Sequence, residues 1–348
     1  MKAALLTRLR SPLEVVEVRL PDSLDVGQVL VRMAYSGICG SQIGEIDGVK
    51  GEDKFLPHLL GHEGSGMVEK TGPGVRHVKT GDTVVLHWQR GAGIGALPPK
   101  YLWKQTVVNA GPVTTFNEYA VVSENRLTAV DPATNLRVAA LFGCAVTTGF
   151  GNVIHDAELK LGQSLLIIGA GGVGLNQIQA ASLHSAFPVV AVDIYDEKLE
   201  LAKSLGAHMV IHAKKVSLAE EVARLFPQGP DIVIENTGQV ANIELAYSVV
   251  NKTSGRVVLV GVPGMDQKAS LHTLGLHLGK SIRGSFGGQC RPQVDIPRYL
   301  NLYKQKKFAL DALITEEFSL DQVNTAIERM KSGQISGRCL IRLNEGIL

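Results

Sequence analysis

Three residues of the sequence have side chains that together could bind a transition metal: Cys39, His62 and Cys144. Each stands next to a glycine in a predicted turn, and two thiolates with one imidazole suit the borderline-soft Zn²⁺ ion. Three protein ligands leave a fourth coordination position open, which is typical of a catalytic rather than a structural zinc site. Residue types alone leave an alternative open, in which two buried cysteines and an unrelated histidine share no role.

A second group of residues has the spacing of a dinucleotide-binding turn. Gly169, Gly171 and Gly174 form a G-x-G-x-x-G motif that encloses Gly172 and Val173 and directly follows an apolar run expected to be a strand. Such glycines allow a tight turn, close approach of a pyrophosphate, and packing of a helix against a strand. The alternative is a glycine-rich turn that binds no nucleotide.

Asp193 is the residue expected to choose between NAD and NADP. It ends the next predicted strand, 19 positions after Gly174. Its carboxylate can accept hydrogen bonds from both ribose hydroxyls of an adenosine and would repel a 2'-phosphate, so NAD is predicted. Lys198 could reach the same ribose, and an ordinary exposed helix lysine is the alternative.

Two sequence patterns predict the elements that position these residues. In the first third, short β-branched or alternating runs are separated by turn residues, which indicates a small irregular β-barrel or sandwich. Its predicted strands are 13–18, 28–35, 65–70, 82–87 and 118–122. From about residue 160, apolar runs alternate with helix-length segments, which is typical of a parallel sheet covered on both faces. Its predicted strands are 165–168, 189–192, 209–211, 232–234 and 257–260.

Composition narrows the class of protein. A chain of 348 residues predicts two domains. Lys and Arg total 35 against 33 for Asp and Glu, so no charge pattern indicates nucleic acid or an anionic membrane surface. Four scattered cysteines are too few for a disulfide scaffold, and neither a signal peptide nor a membrane-spanning apolar run is recognised. A cytoplasmic location is therefore expected.

The motifs and their order resemble those of a zinc-dependent alcohol dehydrogenase of the medium-chain dehydrogenase/reductase superfamily. The similarity runs from about residue 1 to 343 and includes 61–66, the turn around Cys144, the glycine motif with Asp193, 260–263 and 307–311. It implies an α/β fold, with a Rossmann doubly wound parallel sheet and a GroES-like β-barrel catalytic domain. The expected domains are the first catalytic part at 1–150, the Rossmann NAD-binding domain at 151–290, and the return to the catalytic domain at 291–348.

The resemblance also implies roles for single residues. Cys39, His62 and Cys144 would hold one catalytic zinc in the cleft between the domains. Glu63 would lie behind the metal and could enter its coordination transiently, and Ser41 would hydrogen-bond the substrate oxygen.

The expected cofactor site contains the glycine motif, Asp193 and Lys198. The resemblance adds two further residues to it. Thr148 matches a threonine beside the nicotinamide, and Arg338 resembles an arginine near the cofactor pyrophosphate. For Arg338 an ordinary surface arginine is the alternative.

The sequence departs from its relatives at three places. Gly44 stands where liver-type members have a histidine that passes the proton to solvent, so the cofactor ribose, water or Glu45 would take the proton from Ser41. Gln42 replaces an Asp that orients the zinc histidine. The irregular segment 88–117 contains no cysteine, so the structural zinc that many relatives bind there is not expected.

The predicted reaction is hydride transfer between an alcohol and NAD, which gives an aldehyde or ketone. His87 and Trp88 occupy a position that lines the substrate pocket in relatives, and such a wall suggests a medium alcohol, polyol or sugar derivative; core packing of Trp88 is the alternative. A zinc-free quinone-reductase-like member and a non-catalytic nucleotide-binding relative are the other functions considered. Relatives form homodimers or homotetramers through strands that correspond to about 257–285.

Overall fold

The computed structural model describes residues 1–344 and 346 of the chain. The chain folds into two units, each with its own core. Unit 1 comprises Met1–Ala145, Arg291–Lys304 and the described residues from Leu310 onward, and unit 2 comprises Val146–Cys290 with Gln305–Ala309. Unit 1 thus includes residues up to 145 of its first part, and the short segment 305–309 packs with unit 2.

The helices and strands follow one another along the chain in three stretches. The first stretch is mainly strands: β1 (Lys2–Leu6), β2 (Glu14–Glu17), β3 (Gln28–Gly37), α1 (Gly40–Ile46), β4 (His58–Leu59), β5 (Glu63–Thr71), β6 (Thr83–His87), β7 (Tyr101–Trp103), β8 (Thr106–Val108), β9 (Tyr119–Ser123), β10 (Leu127–Ala129) and α2 (Leu136–Ala139). The second alternates strands and helices: α3 (Ala145–Gly151), β11 (Leu165–Ile168), α4 (Gly172–Leu183), β12 (Val189–Asp193), α5 (Asp196–Ser204), β13 (Met209–His212), α6 (Leu218–Leu225), β14 (Ile232–Glu235), α7 (Val240–Val249), β15 (Arg256–Leu259), α8 (Leu274–His277) and β16 (Ser281–Gly284). The third is mixed: α9 (Pro292–Lys304), β17 (Ile314–Ser319), α10 (Val323–Lys331) and β18 (Arg338–Arg342).

Unit 1 is organised around a seven-stranded sheet. Six strands lie in the order β10-β6-β5-β3-β18-β17, and β9 pairs with β3 as well. The first and third stretches of the chain meet there, because β18 pairs antiparallel with β3. Buried side chains such as Val31, Met33, Val84 and Val122 pack in one core on this sheet. The hairpin of β7 and β8 falls inside 88–117, a segment that the sequence predicted to be irregular.

Unit 2 is a doubly wound α/β layer. Its six strands are all parallel and lie in the order β13-β12-β11-β14-β15-β16. Apolar strands of this kind need helices on both faces, because both of their faces are buried. The strand order reverses at β11, so the loop after Ile168 lies at the switch point where such sheets bind ligands. The predicted fold class is thereby confirmed.

In the described part of the chain, no single helix is long and apolar enough to cross a bilayer. The bent pair formed by 136–143 and 145–156 meets that criterion only when both helices are counted together.

Candidate metal and cofactor sites

Three side chains of unit 1 converge although they lie far apart in the sequence. The ligand atoms of Cys39, His62 and Cys144 are all within 4.8 Å of one another. His62 Nε2 is buried and has no hydrogen-bond partner within the residues that the structure describes. A buried nitrogen without a partner is costly unless something else satisfies it. Two thiols and this nitrogen fit a Zn²⁺ ion with one position left for substrate.

Glycine neighbours allow the chain to bring these ligands together. Cys39 precedes α1, His62 lies between β4 and β5, and Cys144 lies directly before α3. Gly61 has φ +98°, and a Cβ there would lie 2.2 Å from Thr115 Oγ1. A Cβ on Gly143 would lie 2.2 Å from the Leu86 carbonyl oxygen. A larger residue at either position would push a ligand out of place.

The surroundings of Cys39 favour its thiolate. Hydrogen bonding by the Cys144 thiol lowers the pKa of Cys39 well below its usual value, and the His62 imidazole lowers it further, against the opposing effect of burial. The thiolate is the form of cysteine that binds a metal. The electrostatics of the cluster therefore match its proposed chemistry.

Gln42 connects two members of the cluster. Its side chain is buried, and its amide is hydrogen-bonded to His62 Nδ1. Its Oε1 also accepts a hydrogen bond from the Cys39 backbone N–H at 3.3 Å. The residue that replaces the expected Asp thus still orients the histidine, through a neutral amide.

Glu63 and Arg338 form a buried ion pair beside the cluster. Their side chains are 0% and 4% exposed, so Arg338 does not occupy the surface position considered from the sequence. Glu63 Oε2 also accepts a hydrogen bond from the Ala145 N–H at 3.2 Å, next to Cys144. A Cβ on Gly37 would lie 2.5 Å from Glu63 Oε1, so only glycine leaves room for the carboxylate.

Two predicted hydroxyl residues lie in different units. Ser41 is exposed in the first turn of α1, two residues after Cys39. Thr148 lies in α3, and its buried Oγ1 lacks a hydrogen-bond partner within the described chain. Both hydroxyls are therefore available to a ligand of their own unit.

His87 has a structural position, contrary to the prediction that it lines a substrate pocket. It is 1% exposed, donates from Nδ1 to the Gln89 carbonyl at 2.8 Å, and accepts at Nε2 from Thr128 Oγ1 at 3.0 Å. Burial lowers the pKa of His87 to about 4, so the ring is neutral near pH 7. Trp88, the next residue, is half-buried.

The glycine motif of unit 2 has the geometry of a nucleotide-binding turn. Gly169 has φ +93°, which favours glycine. Gly171 caps α4, and Gly172 and Val173 form its first turn. A Cβ on Gly174 would lie 2.2 Å from the Gly169 carbonyl oxygen, whereas a Cβ on Gly171 would meet nothing within 4 Å. Open space over the amides of a helix N-terminus suits a phosphate.

Asp193 contacts this turn directly, a role that motif spacing did not reveal. Its Oδ2 accepts a hydrogen bond from the Ala170 N–H at 2.9 Å. Its Oδ1 accepts from the N–H groups of Ile194 at 2.7 Å and Tyr195 at 3.2 Å. Each carboxylate oxygen has two lone pairs, so both sites of Oδ1 are occupied and one site of Oδ2 remains. Asp193 can therefore accept from one ribose hydroxyl rather than from the two that the sequence predicted. Lys198 Nζ lies 4.8 Å from the centre of the Tyr195 ring, a cation–π distance.

A second group of potential ligands was not recognised in the sequence. Atoms of Glu45, Asp53 and His58 also lie within 4.8 Å of one another. His58 Nε2 is 2.8 Å from Asp53 Oδ2, and its Nδ1 donates to the Leu59 carbonyl at 2.9 Å. Glu45, considered as a proton acceptor for Ser41, therefore lies beside a histidine that already pairs with a carboxylate.

Comparisons with known proteins identify the same two parts of the chain. Residues 25–132 match the family model of the alcohol dehydrogenase GroES-like domain, and residues 172–305 match that of the zinc-binding dehydrogenases. Alcohol dehydrogenase 6 of Peromyscus maniculatus is 32% identical, over 98% of this chain and 97% of the relative. A probable S-(hydroxymethyl)glutathione dehydrogenase 1 of Schizosaccharomyces pombe is 28% identical, over 99% and 97%.

Solved structures agree over nearly the whole length. Benzyl alcohol dehydrogenase from Acinetobacter calcoaceticus superposes with a TM-score of 0.89 at 27% identity, and 99% of each chain is covered. An alcohol dehydrogenase zinc-binding domain protein from Burkholderia ambifaria has a TM-score of 0.90 at 28% identity, also with 99% of each chain covered.

The fold and the cysteine–histidine cluster define a medium-chain dehydrogenase/reductase. The chain belongs to the zinc-dependent alcohol dehydrogenase family of that superfamily, which confirms the resemblance seen in the sequence. It is accordingly an oxidoreductase of alcohols and carbonyl compounds.

Proposed function

We propose that the protein is a zinc-dependent dehydrogenase that transfers hydride between a small alcohol and NAD and yields an aldehyde or ketone. The observation that carries this proposal is the convergence of Cys39, His62 and Cys144 around a buried His62 Nε2 that lacks a hydrogen-bond partner in the described chain. One catalytic zinc per subunit would satisfy that nitrogen. No second zinc is proposed in 88–117, since that segment has no cysteine.

When bound there, zinc supplies Lewis acidity towards the alcohol oxygen, and NAD supplies the hydride acceptor. Ser41 Oγ accepts the hydroxyl proton of the alcohol and passes it to water, the cofactor ribose or Glu45. Gln42 holds the His62 ring at Nδ1, and Nε2 would bind the metal. Glu63 would lie beside the metal as a possible transient ligand, and Arg338 neutralises its carboxylate.

The cofactor would be held by unit 2. The N–H groups of Gly171, Gly172 and Val173 suit the pyrophosphate, because they lie at the N-terminus of α4. Asp193 favours NAD by accepting a hydrogen bond from one ribose hydroxyl at Oδ2, with Lys198 as a further ribose contact. Thr148 Oγ1 is available to the nicotinamide. The contact of Arg338 with the pyrophosphate remains a prediction, and its observed partner is Glu63.

The test combines metal analysis with a substrate screen. Purified protein should contain about one zinc per subunit and should oxidise members of a panel of primary alcohols, secondary alcohols, polyols and sugar alcohols with NAD. Cys39→Ser should lose both zinc and turnover, while the Cys290→Ser control at a buried cysteine outside the cluster should keep both. Active protein without zinc would instead indicate a quinone-reductase-like enzyme, and tight NADH binding without turnover a nucleotide-binding relative.

We also infer a homodimer or homotetramer that pairs through unit 2. Strand β16 forms the edge of the six-stranded sheet, and several large apolar side chains of the segment 262–286, which contains it, are exposed. These are Val262, Met265, Leu274, Leu278 and Phe286. Unpaired edges and apolar side chains of this kind favour association. No disulfide joins any of the cysteines in the described chain, which agrees with the reducing conditions of the cytoplasm, where we place the protein.

A further inference from the structure

Unit 2 contains a buried set of side-chain amides that the proposed function does not use. Gln177, on α4, is fully buried, and its Nε2 donates to Asn236 Oδ1 and to Asn152 Oδ1, each at 2.8 Å. Asn236 Nδ2 donates back to Gln177 Oε1 at 2.9 Å. Gln177 and Asn236 thus form a reciprocal amide pair between helix α4 and the end of strand β14.

The pair reaches the nucleotide-binding turn through Asn236. Its Nδ2 also donates to the Gly169 carbonyl oxygen at 3.2 Å. The Ala170 N–H, which belongs to the same peptide group, donates to Asp193 Oδ2 at 2.9 Å. One peptide plane is therefore held at its oxygen by an amide and at its nitrogen by a carboxylate.

The far side of the pair is also anchored. Asn152 Nδ2 donates to Ser285 Oγ at 2.7 Å and to Asp156 Oδ2 at 3.1 Å. Asn152 therefore cannot turn its Oδ1 away from Gln177 without breaking these bonds. A fully satisfied buried network of this kind is rigid, because each member holds the next in one orientation.

Stability alone does not explain why these buried side chains are polar. Replacing both partners of a buried hydrogen bond by apolar groups of similar shape is often nearly neutral for folding. The network instead specifies an orientation, and the group that it orients is the peptide directly before the amides at 171–173. A turn held in its bound geometry binds its ligand more tightly, since less ordering is needed on binding.

We propose that Gln177 and Asn236 are positioning residues for the dinucleotide, which hold the Gly169–Ala170 peptide in the orientation that the pyrophosphate requires. This inference rests on the proposed use of NAD.

The experiment compares two buried glutamines of the same helix. Gln177→Met removes the amide pair, whereas Gln179→Met removes a hydrogen bond from the Ala309 N–H to Gln179 Oε1, at 2.7 Å, that does not involve the turn. Gln177→Met should weaken NADH binding about five- to tenfold, as expected for the loss of one or two buried hydrogen bonds. Gln179→Met should change the NADH Kd by less than about twofold, and kcat at saturating NAD should be similar in both variants.

Asn236→Asp supplies a second, nearly isosteric test. It keeps an oxygen for Gln177 Nε2 and loses the Nδ2 that donates to the Gly169 carbonyl. We expect weaker binding of NADH and ADP-ribose and little change for AMP, which has no pyrophosphate. In the Gln177→Met/Asn236→Asp double variant, the loss should not exceed that of the more severe single variant by more than about twofold, since the two residues act as one unit.

Either of two results would overturn the proposal. One is an unchanged NADH Kd in Gln177→Met and Asn236→Asp, even if both melt at lower temperature. The other is an equal loss in Gln179→Met, which would indicate a general effect of altering α4. NADH binding by the wild-type protein is measured first. If the wild type binds no NADH, the proposed function itself is contradicted, which is a different outcome from the two above.

Discussion

At the residue scale, the buried Glu63 carboxylate depends on one cation. Its side chain is fully buried, and within the described chain its only ion pair is with Arg338. Removal of one partner of a buried ion pair leaves an uncompensated charge, which costs more than loss of a surface pair. The two residues come from β5 and β18, so this pair also joins the first and last parts of unit 1.

Arg338→Met should therefore destabilise the protein by about 3–5 kcal/mol. Urea unfolding followed by circular dichroism measures the change in the free energy of unfolding. The Glu63→Gln/Arg338→Met double variant is the control, because it removes the orphaned charge and should recover most of the loss. A single variant within about 0.5 kcal/mol of wild type, the usual range for a surface change, would show that the pair is not buried in solution.

A second residue-scale prediction concerns pH. His87 titrates at about 4 in the folded protein because burial disfavours its charged form, whereas an unfolded histidine titrates near 6.5. Above pH 6.5 His87 is mostly neutral in both the folded and the unfolded state, so it costs little free energy of unfolding. As the pH falls from 6.5 towards 4, the unfolded state binds the proton and the folded state does not, so the free energy of unfolding decreases. At pH 5 this residue should cost about 2 kcal/mol relative to pH 7.

The measurement is the difference in unfolding free energy between pH 7 and pH 5. His87→Gln should lose about 2 kcal/mol less over that interval than wild type. His184→Gln, at an exposed position of unit 2, should behave like wild type. Equal slopes in all three proteins would mean that His87 is accessible to solvent in the folded state.

At the element scale, the turn between β11 and α4 contains two glycines that are required for different reasons, Gly174 and Gly171. At Gly174 the neighbouring backbone excludes a Cβ, since the Gly169 carbonyl oxygen would lie 2.2 Å away. At Gly171 a Cβ would meet nothing within 4 Å, so folding does not require glycine there. The requirement at Gly171 comes from the proposed ligand, which has to approach the backbone closely.

Gly174→Ala and Gly171→Ala should consequently have different effects. Gly174→Ala should lower the melting temperature by several degrees, because α4 must move away from β11. Gly171→Ala should keep the melting temperature of the unliganded protein and weaken NADH binding about tenfold or more. Thermal unfolding with and without NADH measures both effects, and a Gly171→Ala protein that binds NADH like wild type would exclude the turn as the pyrophosphate site.

At the scale of the whole molecule, the exposed apolar residues around β16 support association of subunits. Leu278 is 58% exposed beside that edge strand, whereas Leu97 is 85% exposed within 88–117 of unit 1. Leu278→Glu should shift the mass measured by light scattering towards the monomer, because burial of an unpaired charge opposes association. Leu97→Glu is the matched control and should leave the mass unchanged. A monomeric wild-type protein would contradict the proposed homo-oligomer.

Much of the fold could be predicted because its signals are local. Strand β11 begins and ends at the predicted residues, and strands β12 to β15 differ from their predicted bounds by one residue at one or both ends. The agreement is close because continuous apolar runs mark strands that are buried on both faces. Strand β16 has no continuous apolar run, and only one of its four residues is partly buried, so hydrophobic periodicity could not reveal it. The hairpin of β7 and β8 was missed because turn residues dominate the segment around it.

The residue types by themselves determined which side chains could bind zinc and where a dinucleotide turn would lie. Cysteine, histidine and the glycine spacing restrict the chemistry before any fold is known. Only the tertiary structure decided that Cys39, His62 and Cys144 meet, that Arg338 pairs with Glu63, and that His87 lies in the core. It also placed Asn236 against the Gly169 carbonyl. The physical reason is that these contacts join residues distant in the chain, and their existence depends on strand order and burial, which no local pattern encodes.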